Sequence, residues 1–561
     1  MLAKGGLVTV AVPSLPTNLN PWTPQGSNQV TAEVAAQIWP SVFSTGPGGE
    51  EMPNTAFVTS AEVIGVPPAS NFTVQYQINP SAVWSDGTPV TAADFIYLWQ
   101  QLRAATELPS TVPLAGYDDI ASVVGSNGGR TVTVTFTEPD AGWEQLFEEL
   151  VPSGVAEREG FVAAFSHPSA TTALSAGPFA LSSFVPGQSL TLVRNPRWWG
   201  EPARLDKIVL RVVRGSSAMI RGLQDGAIDL AELGPSAALD DDVAASSDLL
   251  ALPEESPLLW QLVYNEADPL LAHPSVRQAV SDALDRRELE WDTIGLEDPA
   301  VTLAVNHLFP ASGGGERAGS YQLPDDAAAY NLLAGDGYTR NGDGLVTTEE
   351  GAPLVLHLVA PEGDGLVRRI EALLRAQLLD AGITLVVQNV PLARLLRGVL
   401  PAGDYQIALA PYLLSPFAAQ NVALYSNPAG SQLPATIPSP GMPMLAPQAA
   451  LTPAGAEPGA VVSGAVTGDV DGYENRVVTA VATDAFSELN PAKATTLYNR
   501  IDAELWNDLP TMPLFQQPVE LVMRDDLVDV TYATTSAGPF WDADQWGIQV
   551  SPPPSTTTTI P

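Results

Sequence analysis

The sequence predicts an α/β protein divided into more than one domain, and three observations carry that prediction. The chain has 561 residues, more than one hydrophobic core serves, so two or three domains are expected. Strand-like and helix-like stretches alternate in two separate places, 205–230 and 355–387, as an open, mostly parallel sheet requires. Hydrophobic residues make up 45% of the chain, an ordinary globular share that allows a sizeable core.

The elements follow in order. LVTVAV at 7–12 reads as a short buried strand, and 13–24 as an extended loop carrying Asn18, Leu19, Asn20, Pro21 and Trp22. A helix-like segment at 30–43 leads into strands near 58–63 and 72–78. Asp86 and Gly87 then force a turn, because Asp tolerates turn conformations and Gly supplies positive φ cheaply. Thr91 is placed to cap a helix, with Asp94 three residues on as the acidic half of a capping box. Phe95, Leu98, Trp99 and Leu102 fall on one face of that helix. RTVTVTF at 130–136 alternates with period two and predicts a half-buried strand.

Two strands broken at Pro186-Gly187 are expected over 177–193, a strand over 205–213, a helix over 217–224 stopped by Gly226, and a strand at 228–230. A short strand at 261–265 precedes a helix from Pro269 whose apolar face includes Val276, Ala279, Val280, Ala283 and Leu284. The second alternation places strands at 355–359 and 383–387 around a helix at 366–379 ended by Gly382. Residues 405–456 contain no charged residue, but seven prolines, from Pro411 to Pro443, forbid a membrane helix. Residues 433–468 read as a Pro-, Ala- and Gly-rich surface insertion of low order. A helix at 494–505, a strand-like piece at 519–523 and a disordered PPPSTTTTIP tail close the chain.

Charge narrows the function. Only 16% of residues are charged, yet the formal net charge is -38. An acidic surface repels phosphate backbones and anionic headgroups, so no nucleic-acid partner is expected and neutral or cationic solutes are favoured. The same acidity also serves plain solubility or a saline habitat. Cysteine is absent, which removes disulfides, thiol nucleophiles and thiolate metal sites together. The opening MLAKGG lacks a basic stretch followed by an apolar core, so no signal peptide is expected in it. No run of about 18 apolar residues is present to span a membrane.

The stretch WSDGTPVTAADFIYLW closely resembles the signature of the family 5 solute-binding proteins of bacterial ABC importers, which bind peptides, dipeptides or nickel. AGPFALSSFVPGQSLTLVRNPRWWG, LDKIVLRVV with GLQDGAIDLAEL, VYNEADPLLAHPSVRQAVSDALDRREL and, more weakly, LYNRIDAELWNDLPTMPLF stand in the same order as in that family. The resemblance implies a two-lobe periplasmic-binding-protein-like fold of type II, with an extra small domain and a ligand cleft between the lobes. It assigns 1–34, 176–265 and 513–550 to the first lobe, 35–175 to the extra domain and 266–512 to the second lobe, with 551–561 as a tail.

The implied function is extracytoplasmic capture of a peptide or similar small solute by a monomer that closes two lobes and docks on a membrane permease, without catalysis, cofactor or metal. Export and a lipid anchor on the outer face of the cell membrane are implied too, with signal and anchor residue outside this chain. Family position places Asn18, Leu19, Asn20 and Trp22 at the cleft mouth. It makes Tyr264 and Asn265 hinge candidates within reach of ligand, and puts Ala410, Pro411, Tyr412, Leu413, Leu414 and Ser415 on the strand and loop facing the ligand. Phe515 joins these candidates. For the 13–24 loop and for Tyr264 with Asn265, an ordinary strand exit is the competing reading.

One departure matters. Many peptide binders of the family hold the peptide's free amine with an Asp after this strand, and here 411–416 reads PYLLSP, with no acid. A buried ammonium without a counter-charge costs several kcal/mol, on the order of the penalty for any unpaired buried ion. An alternative on the same fold is therefore a cell-envelope lipoprotein that acts in actinobacterial glycolipid assembly as a scaffold or regulator, without transport.

Catalytic patterns fail on residue identity. No G-x-S-x-G surrounds a serine, and Lys4, Lys207 and Lys493 follow no phosphate-cradling loop. His167, His273, His307 and His357 stand singly. Residues 339–350 resemble an EF-hand loop with Asn341, Asp343, Gly344 and Glu350 in place, but Thr339 stands where the first Asp ligand belongs, which favours a plain turn.

Overall fold

The computed structural model describes residues 2–550 apart from 24, 25, 27, 104–115, 235, 236, 296–300, 312–322, 364, 423, 427–472, 474 and 536. The expected insertion at 433–468 and the tail at 551–561 lie outside the described residues.

The chain begins with the buried strand β1 (Leu7–Val12). After the loop comes α1 (Gln29–Ile38), capped by Asn28, whose side chain accepts from the Thr31 amide at 3.0 Å. A hairpin of β2 (Phe43–Thr45) and β3 (Glu51–Pro53) leads into β4 (Val58–Gly65) and β5 (Thr73–Ile78). The turn at Asp86-Gly87 forms with Gly87 at φ +94, where a side chain would be strained. Thr91 and Asp94 make the expected reciprocal cap of α2 (Ala92–Arg103): the Thr91 amide donates to Asp94 Oδ2 at 2.9 Å, and Ala93 N to Thr91 Oγ1 at 3.3 Å. Phe95, Leu98 and Leu102 are fully buried on one face of α2, with Trp99 packed beside them. β6 (Ile120–Ser126) and β7 (Thr131–Phe136) complete an antiparallel sheet in the order β4-β5-β7-β6.

β8 (Phe179–Val185) and β9 (Ser189–Arg194) form the expected hairpin, followed by β10 (Lys207–Val212) and β11 (Leu230–Leu233). The strand expected at 228–230 thus starts two residues later. β1 lies parallel between β10 and β11. With β12 (Leu249–Glu254) and a late strand described below, the first sheet has seven strands. One continuous apolar cluster runs from this sheet and α1 through the four-stranded sheet of 58–136.

The second sheet is built from β13 (Leu258–Tyr264), β14 (Thr302–Leu303), β17 (Val355–Pro361), β18 (Thr384–Val390), β19 (Ile407–Leu413) and β20 (Thr511–Gln516), in the order β14-β20-β13-β19-β17-β18. The small hairpin between its members is β15 (Thr339–Arg340) with β16 (Val346–Thr347). β17 and β18 pair in parallel around the helix Leu366–Asp380, as the βαβ reading requires. Gly382, at φ +85, follows that helix where an added Cβ would stand 2.6 Å from the Gly344 carbonyl. The final strand β21 (Val519–Arg524) returns to the first sheet, antiparallel to both β11 and β12.

Two assignments are corrected by this topology. Leu258–Tyr264, expected in the first lobe, is a central strand of the second sheet, hydrogen-bonded between β19 and β20. Likewise 513–516 belongs to β20 rather than to the first lobe. The physical reason is that LLWQLVY is buried along its whole length, and a continuously apolar strand carries no sign of which sheet it enters.

Candidate ligand cleft

The two sheets are joined by two short crossings, 255–257 between β12 and β13 and 517–518 between β20 and β21. They are tied to each other. Ser256 Oγ donates to the Gln517 carbonyl at 2.7 Å, Gln516 Nε2 to the Ser256 carbonyl at 3.1 Å, and Gln517 N to the Leu258 carbonyl at 2.8 Å. Trp260 Nε1 donates to Gln517 Oε1 at 2.8 Å from the core of the second sheet. Glu255, Ser256, Thr302, Gln516 and Pro518 line a shallow crevice here, with no room inside it for a water molecule.

This position moves the expected hinge. Leu258 pairs with Leu413 and Tyr264 with Ile407, so β13 leaves the crossing at its Leu258 end, and Tyr264 and Asn265 stand at its far end. A seven-residue strand separates them from the hinge by roughly 20 Å. Tyr264 is fully buried, its hydroxyl 3.6 Å from Met512 Sδ. Asn265 holds a turn: Nδ2 donates to the Gly403 and Tyr405 carbonyls at 3.0 and 2.8 Å, and Oδ1 accepts from Ala267 N at 3.0 Å.

The other end of β19 arrives at the crossing. Ala410, Pro411, Tyr412, Leu413, Leu414 and Ser415 are all buried, and Leu414 N donates to the Pro257 carbonyl at 2.9 Å. Asn421 organises this segment, and sequence reasoning missed it. Its Nδ2 donates to the Leu308 and Ser415 carbonyls at 2.8 Å each; its Oδ1 accepts from Ser415 N at 3.0 Å and the Tyr412 hydroxyl at 3.2 Å. All four of its hydrogen-bonding positions are thereby used. Phe515 is buried in β20 opposite Trp260, within the core of the second sheet.

On the first-lobe side the 13–23 loop is fastened to 161–165. Asn18 Nδ2 donates to the Val162 carbonyl at 2.7 Å, Leu19 N to that of Phe165 at 3.0 Å, and Asn20 Nδ2 to that of Phe161 at 2.6 Å. The oxygens of Asn18 and Asn20 accept from Asn20 N and Trp22 N. Both side chains therefore shape the loop. Trp22 packs edge-on to Tyr117 with centroids 6.0 Å apart, and its buried Nε1 has no hydrogen-bond partner among the described residues. The structure thus brings 410–415 to the hinge, keeps 18–22 together in the first lobe, and separates both from Tyr264 and Asn265.

The two sides touch. Gln420 Nε2 donates to Gln145 Oε1 at 3.1 Å, Ala141 N donates to the Phe486 carbonyl at 2.8 Å, and a Cβ on Gly49 would stand 2.9 Å from Pro416 Cβ.

Buried carboxyls collect on the first-lobe side. Around 140–149, burial followed by the charges of Glu148 and Glu144 pushes Glu51 up to about 9. Burial, with Glu148 adding to it, takes Glu149 to about 8. Glu148 and Asp140 are pushed by burial to about 7. A second group joins α1 to β11. Gln29 Nε2 bonds both oxygens of Glu232, at 3.0 and 2.9 Å, and the Glu33 and Glu232 carboxyls lie within hydrogen-bond reach of each other. Burial and then the Glu232 charge hold the Glu33 carboxyl well above the usual range; burial takes Glu232 to about 7. Among 63 acidic residues sequence alone did not single these out. The available signal was a Glu inside the otherwise uncharged QVTAEVAAQI of α1.

The expected plain turn at 339–350 is a hairpin whose Asn341 Oδ1 accepts from Asp343 N and Leu345 N at 3.0 Å each, so that oxygen is already engaged. Among the described residues no group of three His, Asp or Glu side chains is arranged to hold a metal ion, and no helix is long and apolar enough to cross a membrane.

Two mixed sheets joined by a tied double crossing, with direct contacts between the two sides, have the architecture of the two-lobed solute-binding proteins. The family model described as bacterial extracellular solute-binding proteins, family 5 middle, matches residues 68–431, and the chain belongs to that family. Family membership places the protein outside the cytoplasm. It is 26% identical to the oligopeptide-binding protein OppA of Mycobacterium tuberculosis, over 94% of this chain and 83% of that one. It is 29% identical to the probable monoacyl phosphatidylinositol tetramannoside-binding protein LpqW of the same species, over 57% of this chain and 50% of that one. The fold matches that of the periplasmic EDTA-binding protein EppA with a TM-score of 0.81 at 24% identity, covering 98% of both chains.

Proposed function

We propose that this protein is the solute-binding component of an ABC importer, capturing a peptide or similar small solute by closure of its lobes and delivering it to a membrane permease. The observation that carries the reading is the tied double crossing at Ser256 and Gln517, with the Gln145–Gln420 contact formed across the cleft. A ligand preferring the closed arrangement shifts such an equilibrium by that preference alone. Similarity to OppA over most of both chains supports a peptide as the solute. The protein works as a monomer, performs no reaction on its ligand, and is held by a lipid on the outer face of the cell membrane.

Of the residues placed by sequence, Trp22 and the 410–415 segment are the cleft candidates; Asn18, Leu19, Asn20 and Phe515 support them as framework. The experiment is mass spectrometry of small molecules released on denaturing the purified protein, followed by thermal unfolding with whatever is found. A released peptide that raises the melting temperature is the expected result. An empty protein with no shift across peptide libraries sinks it. The similarity to LpqW favours a second reading, an envelope protein acting in glycolipid assembly, for which a phosphatidylinositol mannoside, and no peptide, raises the melting temperature.

A further inference from the structure

Glu33 and Glu232 meet at the carboxyl end of β11, one residue from Leu233, which pairs with Glu520 just after the 517–518 crossing. Ligands of open α/β sheets bind outside the carboxyl ends of their parallel strands, and this buried group stands at that end of the first sheet, close in sequence to the hinge. Glu254, opposite Val519 on β21, lies on the same face of the sheet as Glu232, because residues opposite one another share a face and the side-chain period is two. Glu520 stands opposite Leu233, on the other face.

Tyr532 supplies the independent observation. It is 5% exposed, its hydroxyl has no hydrogen-bond partner among the described residues, and the charges that act on that hydroxyl are those of Glu232, Glu33 and Glu254. Glu33 Oε2 is also buried, with no partner among the described residues. Tyr532 Cε2, Glu232 Oε1 and Gln29 Nε2 converge on Gly538, lying 3.5, 3.6 and 3.7 Å from where its Cβ would be. Among the described residues no ion pair brings an Arg, Lys or His to Glu33, Glu232 or Glu254.

We infer that Glu33, Glu232 and Tyr532 form a first-lobe subsite for an ammonium or guanidinium group of the captured solute. It takes the role left vacant by the missing acid at 411–416, from the opposite wall. The inference rests on the peptide-capture reading. Two carboxyls within hydrogen-bond reach share a proton when the site is empty. An arriving cation replaces that proton, leaving two carboxylates around one positive group, and the proton passes to solvent. Tyr532 donates its hydroxyl to whichever carboxylate oxygen the cation does not engage.

The test is equilibrium dialysis of the whole protein against three pentapeptide pools with uncharged flanks: acetylated with a central Lys, acetylated with a central norleucine, and free-amine with a central norleucine. Wild type is expected to retain a cationic pool about tenfold over the acetylated norleucine pool. The Lys pool identifies a side-chain source for the cation and the free-amine pool a main-chain source. Glu232→Gln and Tyr532→Phe should each reduce that preference several-fold while leaving retention of the uncharged pool unchanged. Calorimetry of the preferred pool in phosphate and Tris should report a proton released on binding. Equal retention of charged and uncharged pools, or a preference that survives both substitutions, overturns the subsite and leaves peptide capture standing. If no pool is retained, peptide capture itself is overturned, and the subsite with it. Should Glu232→Gln fail to fold, Tyr532→Phe decides.

Discussion

The two walls of the cleft are built from different chemistry. The second-lobe wall around 410–421 is neutral: one buried amide, Asn421, uses all four of its hydrogen-bonding positions to hold Tyr412, Ser415 and Leu308. The first-lobe wall carries carboxyls crowded enough to retain protons, with Glu51 pushed to about 9 and Glu149 to about 8. A saturated amide network fixes shape and is indifferent to pH, whereas crowded carboxyls make their wall responsive to protons and cations. Fixed shape and proton-responsive charge are thus housed on separate sides of the molecule.

The sharpest way to break this contrast is Asn421→Ala. It strands the Ser415 amide and the Leu308 carbonyl in a buried setting and should cost about 3 kcal/mol, read as a lowered denaturant midpoint with the same loss at pH 5 and pH 8. A loss that depends strongly on pH would mean the second-lobe wall is not electrically neutral.

The first-lobe wall should show the opposite behaviour. Carboxyls whose folded pKa is raised contribute stability that is fully present below their unfolded values near 4.5 and is lost as pH rises through the folded values. Between pH 5 and pH 9 the melting temperature should therefore fall, as Glu148, Asp140 and Glu232 ionise near 7 and Glu149 and Glu51 near 8 and 9. Glu51→Gln removes one proton demand, and its melting curve should fall less steeply above pH 7. A melting temperature that rises from pH 5 to pH 9 would refute the assignment of retained protons.

Smaller effects belong to the seam. Gln420→Ala removes the hydrogen bond to Gln145 and should weaken closure by about 1 kcal/mol, seen as a several-fold faster ligand release with little change in the melting temperature of the empty protein. Smallest of all, Tyr264→Phe should leave both stability and ligand affinity within about 0.5 kcal/mol of wild type, since among the described residues its hydroxyl bonds a weak acceptor, Met512 Sδ. A large loss of affinity would restore Tyr264 to the site.

Local grammar was readable where a single residue type had a single use. The Asp86-Gly87 turn, the Thr91–Asp94 cap and the hairpin at Pro186-Gly187 all stand where their chemistry puts them. Sheet membership was not readable in LLWQLVY, because a strand buried on both faces looks the same in either lobe. The crossings did leave a trace, in the polar, proline-flanked breaks PEESP and QQP between apolar runs. The site was less legible than the fold. Family position sets Asn18 and Asn20 at the cleft mouth and Asn265 at a hinge, yet their side-chain amides fasten them to the backbone of neighbouring segments, at Val162, Phe161 and Tyr405. Glu33 and Glu232 lie about 200 positions apart, a juxtaposition that no local pattern encodes.

The tied crossing has a mechanical consequence. Two short straps bonded side by side, through Ser256 to Gln517 and Gln516 to Ser256, resist sliding past one another and bending within their own plane, and yield most easily to bending out of it. The directions in which the lobes can shift are thereby narrowed. A crossing so restrained favours the register in which Gln145 and Gln420 meet.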